Sequence, residues 1–438
     1  MLRTTGRFRF APRAYHAGVT RPAPVVRLSA PAPAAAVRAR LALAGRALAG
    51  RALAGLALAA ALAGCAASRP DVPVDAGPAR AAEAAAQDTL VARLARRAGR
   101  RADATLDVLL LSGGGQNGAF GTGFLRGWRA RTGAAAMPTF DLVTGVSTGA
   151  LQAPFAVLGT EAALAEATEI YRTAAARAAP RFDPLFLFRR TGGLYDVSRL
   201  RAALGQALGP AVCRDLAAAF ADGRQLAVGT VDLDAGVGRT WVAADELGPC
   251  DAPAGRTDAA PNRLATLLLA SSAIPALFPP VDVDGRPHVD GGVSGNLRPV
   301  LDLDGLRALD AALRARGARG PVTVRLWTVV NIGLDARGLA VDRGSVRAVS
   351  QRTTLLTYVL AQRPLVESLA TAACAAEAAL PGLRVEFRAV VVPDGTADDP
   401  GASALFDGPF MARLDALGAA RAASARPWDV AVRGCTDL

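Results

Sequence analysis

The chain has 438 residues, 51% of them hydrophobic, which is enough to bury a sizeable core in one large α/β domain or in two or three average domains. Its net charge of +12 comes almost entirely from residues 1–64, which hold ten arginines and no acidic residue. The rest is nearly neutral, with 40 basic and 38 acidic residues, so the basic excess does not predict nucleic-acid binding.

Residues 1–64 are interpreted as an export signal. Residues 53–64 are apolar, too few to span a bilayer but enough for the hydrophobic region of a signal peptide. They lead into Leu62-Ala63-Gly64-Cys65, which resembles the bacterial lipoprotein signal, whose cysteine is acylated and becomes the mature N-terminus. We therefore expect Cys65 to anchor the protein in the cell envelope. The outer membrane is favoured because no aspartate follows the cysteine. The alternative is an Ala/Leu-rich segment with an accidental cysteine.

Four cysteines remain after Cys65, an even number that permits disulfides in an exported protein. The short separation of Cys213 and Cys250 favours a bond between these two, with free buried thiols as the alternative. None of the four has Cys-x-x-Cys spacing, and no His, Asp and Glu cluster has metal-ligand spacing. No metal and no cofactor are therefore expected.

The predicted elements begin in residues 65–105, as a Pro/Ala-rich tether followed by a helix over about 81–100. Residues 106–111 are apolar apart from Asp107, the pattern of a strand buried on both faces. Further strands are predicted at 140–144, 225–233, 239–244, 322–331 and 385–392. Further helices are predicted at 119–131, 150–158, 161–179, 198–208, 262–270, 345–377 and 409–423. This alternation indicates an α/β fold with a mainly parallel sheet covered on both faces.

A glycine cluster, Gly113-Gly114-Gly115-Gln116-Asn117-Gly118, follows the first buried strand and opens a helix. It satisfies the G-x-G-x-x-G pattern of dinucleotide binding, which also needs an acidic residue at the end of the next strand. Asp141 stands at the start of that strand instead, which disfavours a cofactor-binding oxidoreductase. Consecutive glycines at a helix N-terminus also expose N–H groups that stabilise developing negative charge. We expect an oxyanion hole made by Gly113, Gly114, Gly115 and Thr148.

A serine at the end of the second buried strand is the candidate nucleophile. Ser147 lies in Gly145-Val146-Ser147-Thr148-Gly149, and Gly-x-Ser-x-Gly lets a strand turn sharply into a helix with the serine at the apex. The motif alone is weak evidence, but its position between a strand and a helix-compatible run is the required one. We predict Ser147 as nucleophile, with Gly145 and Gly149 allowing the turn.

The candidate base is Asp290, in Asp290-Gly291-Gly292. His288 is the single histidine after residue 64, and on a strand it would share a face with Asp290. Contact between such neighbours would not orient an imidazole toward a serine. We therefore predict that Asp290 itself accepts the serine proton, with Gly291 and Gly292 allowing close approach. A Ser-His-Asp triad through His288 is the alternative.

These blocks and residues 270–280, in this order, resemble the patatin-like phospholipase family over residues 106–300. The resemblance implies a three-layer α/β/α fold and a Ser–Asp dyad lipid acyl hydrolase that cleaves phospholipids or lysophospholipids without a metal. One departure is Asn117, where the family usually has Arg or Lys, so the headgroup preference is open. Residues 301–438 are assigned to the same α/β domain. The alternative function is a non-catalytic lipid-binding lipoprotein.

An aromatic-rich stretch, residues 182–188, shows no clear period. It is interpreted either as a lip that faces a membrane or an acyl chain, or as a buried connection.

Overall fold

The computed structural model describes residues 72–177, 179–189, 191–250, 263–318, 320–403 and 406–433. The predicted signal segment and Cys65 lie outside these residues. Within the described ranges, no helix is long and apolar enough to cross a membrane.

Strands and helices alternate along the described chain. The strands are β1 (Thr105–Leu111), β2 (Leu142–Val146), β3 (Arg181–Phe182), β4 (Tyr195–Asp196), β5 (Gln225–Asp232), β6 (Val237–Val242), β7 (Val281–Val283), β8 (Arg286–Asp290), β9 (Val322–Val330), β10 (Leu383–Val391) and β11 (Val430–Arg433). The α-helices are α1 (Gly77–Ala98), α2 (Gly118–Arg129), α3 (Thr148–Leu158), α4 (Glu161–Arg177), α5 (Phe186–Arg189), α6 (Ser198–Ala207), α7 (Pro210–Ala221), α8 (Ala243–Glu246), α9 (Arg263–Ser271), α10 (Leu303–Ala315), α11 (Val346–Ala379) and α12 (Gly408–Ala423).

Nine of these strands form one sheet in the order β11-β10-β9-β1-β2-β5-β8-β7, with β6 paired to β5. The central strands β10, β9, β1, β2 and β5 are parallel, and the antiparallel pairs lie toward the edges. Strands β3 and β4 form a separate pair. Because β9 pairs with β1, the C-terminal part contributes to the same sheet. The predicted mainly parallel sheet in a three-layer α/β/α fold is confirmed.

Strand β1 shows why the sheet is covered on both faces. Its residues alternate between two hydrophobic cores, with Leu106, Val108 and Leu110 in one and Leu109 and Leu111 in the other. The first core includes residues of α1, α10 and α11, and the second includes residues of α2, α3 and α12. A strand with apolar side chains on both of its faces is buried between two helical layers.

Strand β5 brings the ends of β2 and β8 together. Because β6 pairs along one edge of β5, β2 and β8 share the opposite edge. There Val146 lies opposite Gly229, and Asp290 lies opposite the next residue, Thr230. Since β2 runs parallel to β5 and β8 antiparallel, the carboxyl ends of β2 and β8 meet.

The β7–β8 hairpin that carries Asp290 was not assigned from the sequence. Its two-residue turn, Asp284-Gly285, has φ values of 56° and 76°, and Val283 pairs with Arg286. Positive φ at both turn positions matches the right-handed twist of the strands, and Asp-Gly is a preferred pair for such turns. Helices α7 and α10 were also missed.

A disulfide links Cys213 in α7 to Cys250, so the favoured cysteine pairing is confirmed. It joins the helix before β5 to the segment after α8.

Candidate active site

Ser147 occupies a strained turn between β2 and α3. Its φ of 53° and ψ of −125° lie in a region that residues with a side chain rarely adopt. Such a conformation costs about 1–3 kcal/mol and persists only where the surroundings hold it. Here the Ser147 N–H donates to Ser271 Oγ over 2.9 Å, and Ser271 Oγ donates to the Gly229 carbonyl over 2.7 Å. The end of α9 and strand β5 together fix the turn.

The glycines on either side of Ser147 are required by close packing. A Cβ at Gly145 would lie 2.6 Å from Ala150 Cα, and a Cβ at Gly149 would lie 2.2 Å from the Leu111 carbonyl oxygen. Any side chain at either position would push α3 away from the strands. The structure therefore places both glycines at the turn, as the motif predicts.

Asp290 lies at the end of β8 with 2% of its surface exposed. Its carboxylate accepts a hydrogen bond from the Gly292 N–H over 2.8 Å, and the Ser147 side chain lies close enough to lower its pKa. Burial raises the pKa of Asp290 to about 6, and the interactions with Ser147 and Gly292 oppose this rise. The structure thus brings the predicted nucleophile and base into contact.

The glycine loop between β1 and α2 presents free backbone donors beside this pair. Within the described part of the chain, the N–H groups of Gly114, Gly115 and Thr148 donate to no protein acceptor. Gly115 has a φ of 56°, and Thr148 is the first residue of α3. Unpaired N–H groups at the start of helices attract negative charge.

Gly113 requires a correction. It was predicted to donate to the oxyanion, but its N–H donates to the Asn296 carbonyl over 3.2 Å. A Cβ at Gly113 would lie 2.3 Å from Asn296 Oδ1 and 3.0 Å from Ser147 Cβ. Gly113 therefore allows the loop to approach the serine and is not one of the free donors.

Two buried asparagines hold the glycine loop in place. Asn296 Nδ2 donates to the Gly113 carbonyl over 3.2 Å and to Gln362 Oε1 over 2.9 Å. Asn331, just after β9, donates from its backbone N–H to Ser112 Oγ and from Nδ2 to the Ser112 carbonyl, over 2.8 and 2.9 Å. No supporting role was predicted for either residue, because the contacts join segments that are far apart in sequence.

Behind the turn, a buried polar cluster joins the first turns of α2 and α3. The Thr148 and Tyr171 hydroxyls are hydrogen-bonded to each other, and the Tyr171 hydroxyl also donates to the Thr148 carbonyl over 3.0 Å. Gln152 Nε2 donates to the Gly118 carbonyl over 2.8 Å. Burial raises the pKa of Tyr171, so its hydroxyl keeps its proton. The starts of the two helices are fixed relative to each other.

His288 is directed elsewhere. Its Nδ1 is hydrogen-bonded to Thr230 Oγ1 over 2.9 Å, and its ring packs edge-on against Trp241. Burial lowers the pKa of His288, which favours the neutral ring. Among the described residues it has no hydrogen bond to Ser147 or Asp290. This geometry does not favour the triad alternative.

Asp141 is a structural residue at the other end of β2. Its carboxylate pairs with Arg97 Nε over 2.8 Å and with Arg101 Nη1 over 3.3 Å, and it accepts the Asp107 N–H. It precedes the first residue of the strand, whereas the glycine loop follows the end of β1. A ribose bound near the glycine loop would not meet this carboxylate.

The aromatic stretch forms β3 and α5 and includes exposed apolar surface. Phe182 is 57% exposed and Leu185 is 48% exposed, and the Phe182 ring packs edge-on against Tyr195. The Asp183 N–H donates to the Leu194 carbonyl, and the N–H groups of Leu194 and Tyr195 in turn donate to the carbonyls of residues 276 and 277, in the block between Ser147 and Asp290. These exposures favour the lip interpretation over a buried connection.

No group of three or more His, Cys, Asp and Glu side chains that could hold a metal ion occurs in the ranges that the structure describes.

A comparison with protein families matches residues 109–304 to the model of the patatin-like phospholipases. The matched range includes the glycine loop, Ser147 and Asp290. No curated protein matches the chain.

Proposed function

Since residues 109–304 are a patatin-like phospholipase domain, from a family of hydrolases that generally act on lipid esters, we propose that the protein is a serine-dependent lipid acyl hydrolase. The observation that carries this proposal is that neighbouring residues of β5 place the Ser147 hydroxyl beside the buried Asp290 carboxylate, with which it interacts. A hydroxyl in contact with a base, beside unpaired N–H donors, is the arrangement that acyl transfer requires.

The proposed reaction uses these groups in two stages. Asp290 accepts the proton of Ser147 as Oγ attacks the acyl carbonyl carbon, and the N–H groups of Gly114, Gly115 and Thr148 hold the oxyanion. When the ester C–O bond breaks, Asp290 returns the proton to the leaving alcohol. In the second stage Asp290 takes a proton from water, which attacks the acyl-enzyme, and the fatty acid is released as the proton returns to Ser147.

The raised pKa of Asp290 suits both of its roles. A pKa of about 6 leaves the carboxylate ionised at neutral pH, so that it can accept a proton. The same value makes the protonated form a better acid than a water molecule and brings it near the operating pH, where general acid–base catalysis is most effective. The substrates that we propose are phospholipids or lysophospholipids, as the resemblance implies.

We expect the wild-type protein to hydrolyse a short-chain nitrophenyl ester in the presence of a strong metal chelator, because the proposed steps use protein groups alone. Ser147→Ala should lower turnover by at least about 10³-fold, since the nucleophile is gone. Nitrophenol release by both proteins tests this, and mass spectrometry of products from a lipid panel then identifies the substrate.

Three outcomes would contradict the proposal or its mechanism. Equal turnover by both folded proteins would remove Ser147 from the reaction. No turnover of esters or lipids by the folded wild type, together with equal lipid binding by both, would favour the non-catalytic lipid-binding alternative. Activity lost to the chelator and restored by a metal ion would contradict the metal-free mechanism.

We also propose that the protein is anchored in the cell envelope, at the outer membrane, through lipid on Cys65. The apolar residues 53–64 and the sequence Leu62-Ala63-Gly64-Cys65 support this. We expect the mature chain to begin at an acylated Cys65. Cys65→Ser should abolish both the acylation and the removal of residues 1–64. Mass spectrometry of the N-terminal peptide and membrane fractionation test this. A mature protein that retains residues 1–64 would rule it out.

A further inference from the structure

The N-terminal half of α11, residues 346–361, has an uncharged face that points away from the core. At about 100° per residue, Val346, Val349, Leu356 and Leu360 lie within an arc of about 80°. Of the polar residues in this segment, Thr353 lies inside the arc, Thr357 and Ser350 lie within about 40° of one edge, and Arg352 lies about 40° beyond the other edge. Val346 is 85% exposed and Leu360 is 62% exposed, whereas Val359, about 100° from the centre of this arc, is buried. We call these four side chains the α11 outer face.

Further exposed apolar side chains occur in the same region of the chain and next to the proposed base. Leu339, in the segment before α11, is 69% exposed, and Val293, three residues after Asp290, is 51% exposed. The outward side of a helix in a globular protein normally carries charged residues. Apolar side chains that share one exposed face of a helix indicate an interaction site.

The inner side of the same helical segment supports the proposed catalytic groups. The Tyr358 ring lies against Gly292, where a Cβ would be 2.6 Å from Tyr358 Cε1. Gln362 accepts a hydrogen bond from Asn296, which in turn holds the Gly113 carbonyl. One helix therefore carries an apolar outer face and contacts to the residues around Asp290 and the glycine loop.

The sequence around this face is basic. Residues 336–361 contain four arginines and one aspartate. Arginines beside an apolar helical face are typical of helices that lie at the surface of an anionic bilayer. In a two-fold dimer the same surface of both copies would be in contact, so the positive charges of the two copies would repel each other.

We propose that the α11 outer face docks on the surface of an anionic phospholipid bilayer. This inference rests on the proposed function, because it supplies the route by which a lipid in a membrane reaches Ser147. The apolar side chains enter the boundary between headgroups and acyl chains, and the arginines contact the anionic headgroups. Docking places the helix that contacts Gly292 at the membrane surface.

The test uses the triple variant Val346→Asp/Val349→Asp/Leu360→Asp, with Leu417→Asp as the matched control on α12, where Leu417 is 38% exposed. Binding is measured by co-sedimentation with vesicles of phosphatidylcholine and phosphatidylglycerol, and hydrolysis by fatty-acid release from the same vesicles. Turnover of a soluble short-chain nitrophenyl ester is measured in parallel.

We expect the triple variant to bind the vesicles at least about 100-fold more weakly than wild type, because three apolar contacts are lost and three negative charges are added. Fatty-acid release should fall in proportion, while turnover of the soluble ester stays within about twofold of wild type. Leu417→Asp should behave like wild type. Wild-type binding should weaken at high salt and with phosphatidylcholine alone, because the arginines then contribute less.

Equal vesicle binding by the triple variant and wild type would overturn the proposal, and so would equal loss of binding in Leu417→Asp. A wild-type dimer that the triple variant dissociates, seen by analytical ultracentrifugation, would assign the face to a second copy instead. If circular dichroism shows that the triple variant is unfolded, Val346→Asp alone decides between these outcomes, with a binding loss of about tenfold expected.

The soluble ester separates this proposal from the proposed function. If wild type hydrolyses neither this ester nor the vesicle lipids but the triple variant loses vesicle binding, the docking surface stands and the enzymatic proposal fails. If wild type hydrolyses it but vesicle binding is unchanged in the triple variant, the reverse holds.

Discussion

Asp290→Asn is expected to lower kcat/KM for a short-chain ester about as far as Ser147→Ala, by about 10³-fold or more. The amide keeps the shape of the side chain and can still accept the Gly292 N–H, but it cannot take the proton of Ser147. Groups that act as one catalytic unit are not additive, so the double variant should be scarcely worse than either single one. Steady-state kinetics on folded variants measure this. Because an asparagine before glycine can deamidate to aspartate, Asp290→Ala serves as a second variant.

His288→Ala is the matched control for the dyad. The imidazole bonds to Thr230 and packs on Trp241, so its removal should cost packing and about tenfold in activity or less. Thermal unfolding of each variant separates lost stability from lost chemistry. A folded His288→Ala protein as inactive as Ser147→Ala, with substantial turnover by both Asp290 variants, would replace the dyad with a histidine-based site.

The pH profile of kcat/KM should report the titration of Asp290. The base must be the carboxylate, and its pKa is raised to about 6, so activity should fall about tenfold per unit below pH 6 and level off above it. At pH 4 the expected loss is about 100-fold relative to the plateau, and about 50-fold relative to pH 6. This decline at acid pH is measured as the rate of soluble-ester hydrolysis across the range, under conditions where the protein stays folded.

The coupling between proton binding and folding distinguishes this loss of activity from unfolding at low pH. A carboxyl group whose pKa is higher in the folded than in the unfolded protein binds its proton more tightly when folded. Protonation of Asp290 between pH 6 and its unfolded pKa near 4 therefore stabilises the fold while it inactivates the site. This decline at acid pH should persist in His288→Ala, because the ring is hydrogen-bonded to Thr230 and, among the described residues, to neither Ser147 nor Asp290. If the decline in activity below pH 6 disappears in His288→Ala, the titrating group is His288 and not Asp290.

Much of the sheet could be predicted because its strands are rich in apolar residues. Residues 106–111 and 140–144 were recognised from this pattern, and the structure has β1 at Thr105–Leu111 and β2 at Leu142–Val146. The long helix was also predicted, as 345–377 against Val346–Ala379, although Pro364 lies within it. Continuous burial and helical periodicity are local properties, which one sequence contains in full.

The β7–β8 hairpin could have been found, since Asp284-Gly285 lies between alternating apolar residues. The strand predicted at 239–244 shows a different limit: β6 ends at Val242, and Ala243–Glu246 is a short helix. Element ends depend on tertiary contacts that single-sequence patterns do not contain.

At the site, Ser147, Asp290 and the glycine loop were recognisable because each has a local motif. The residues that hold the glycine loop in place were not recognisable from the sequence. Asn296 contacts Gln362 across 66 residues, and Asn331 contacts Ser112 across 219. The same contacts explain the correction at Gly113, because the carbonyl that takes its N–H belongs to Asn296. Such pairings are set by the folded sheet.

The shared edge of β5 has a consequence for how this catalytic pair tolerates changes in the chain. Ser147 and Asp290 are placed by strands that pair with neighbouring residues of β5, which supplies neither group. The separation of the two side chains therefore depends on strand register, and the length of chain between them has no direct influence on it. Insertions and deletions in the surface loops between β2 and β8 can accumulate without moving the pair. A one-residue slip of β8 against β5 would turn Asp290 to the opposite face of the sheet.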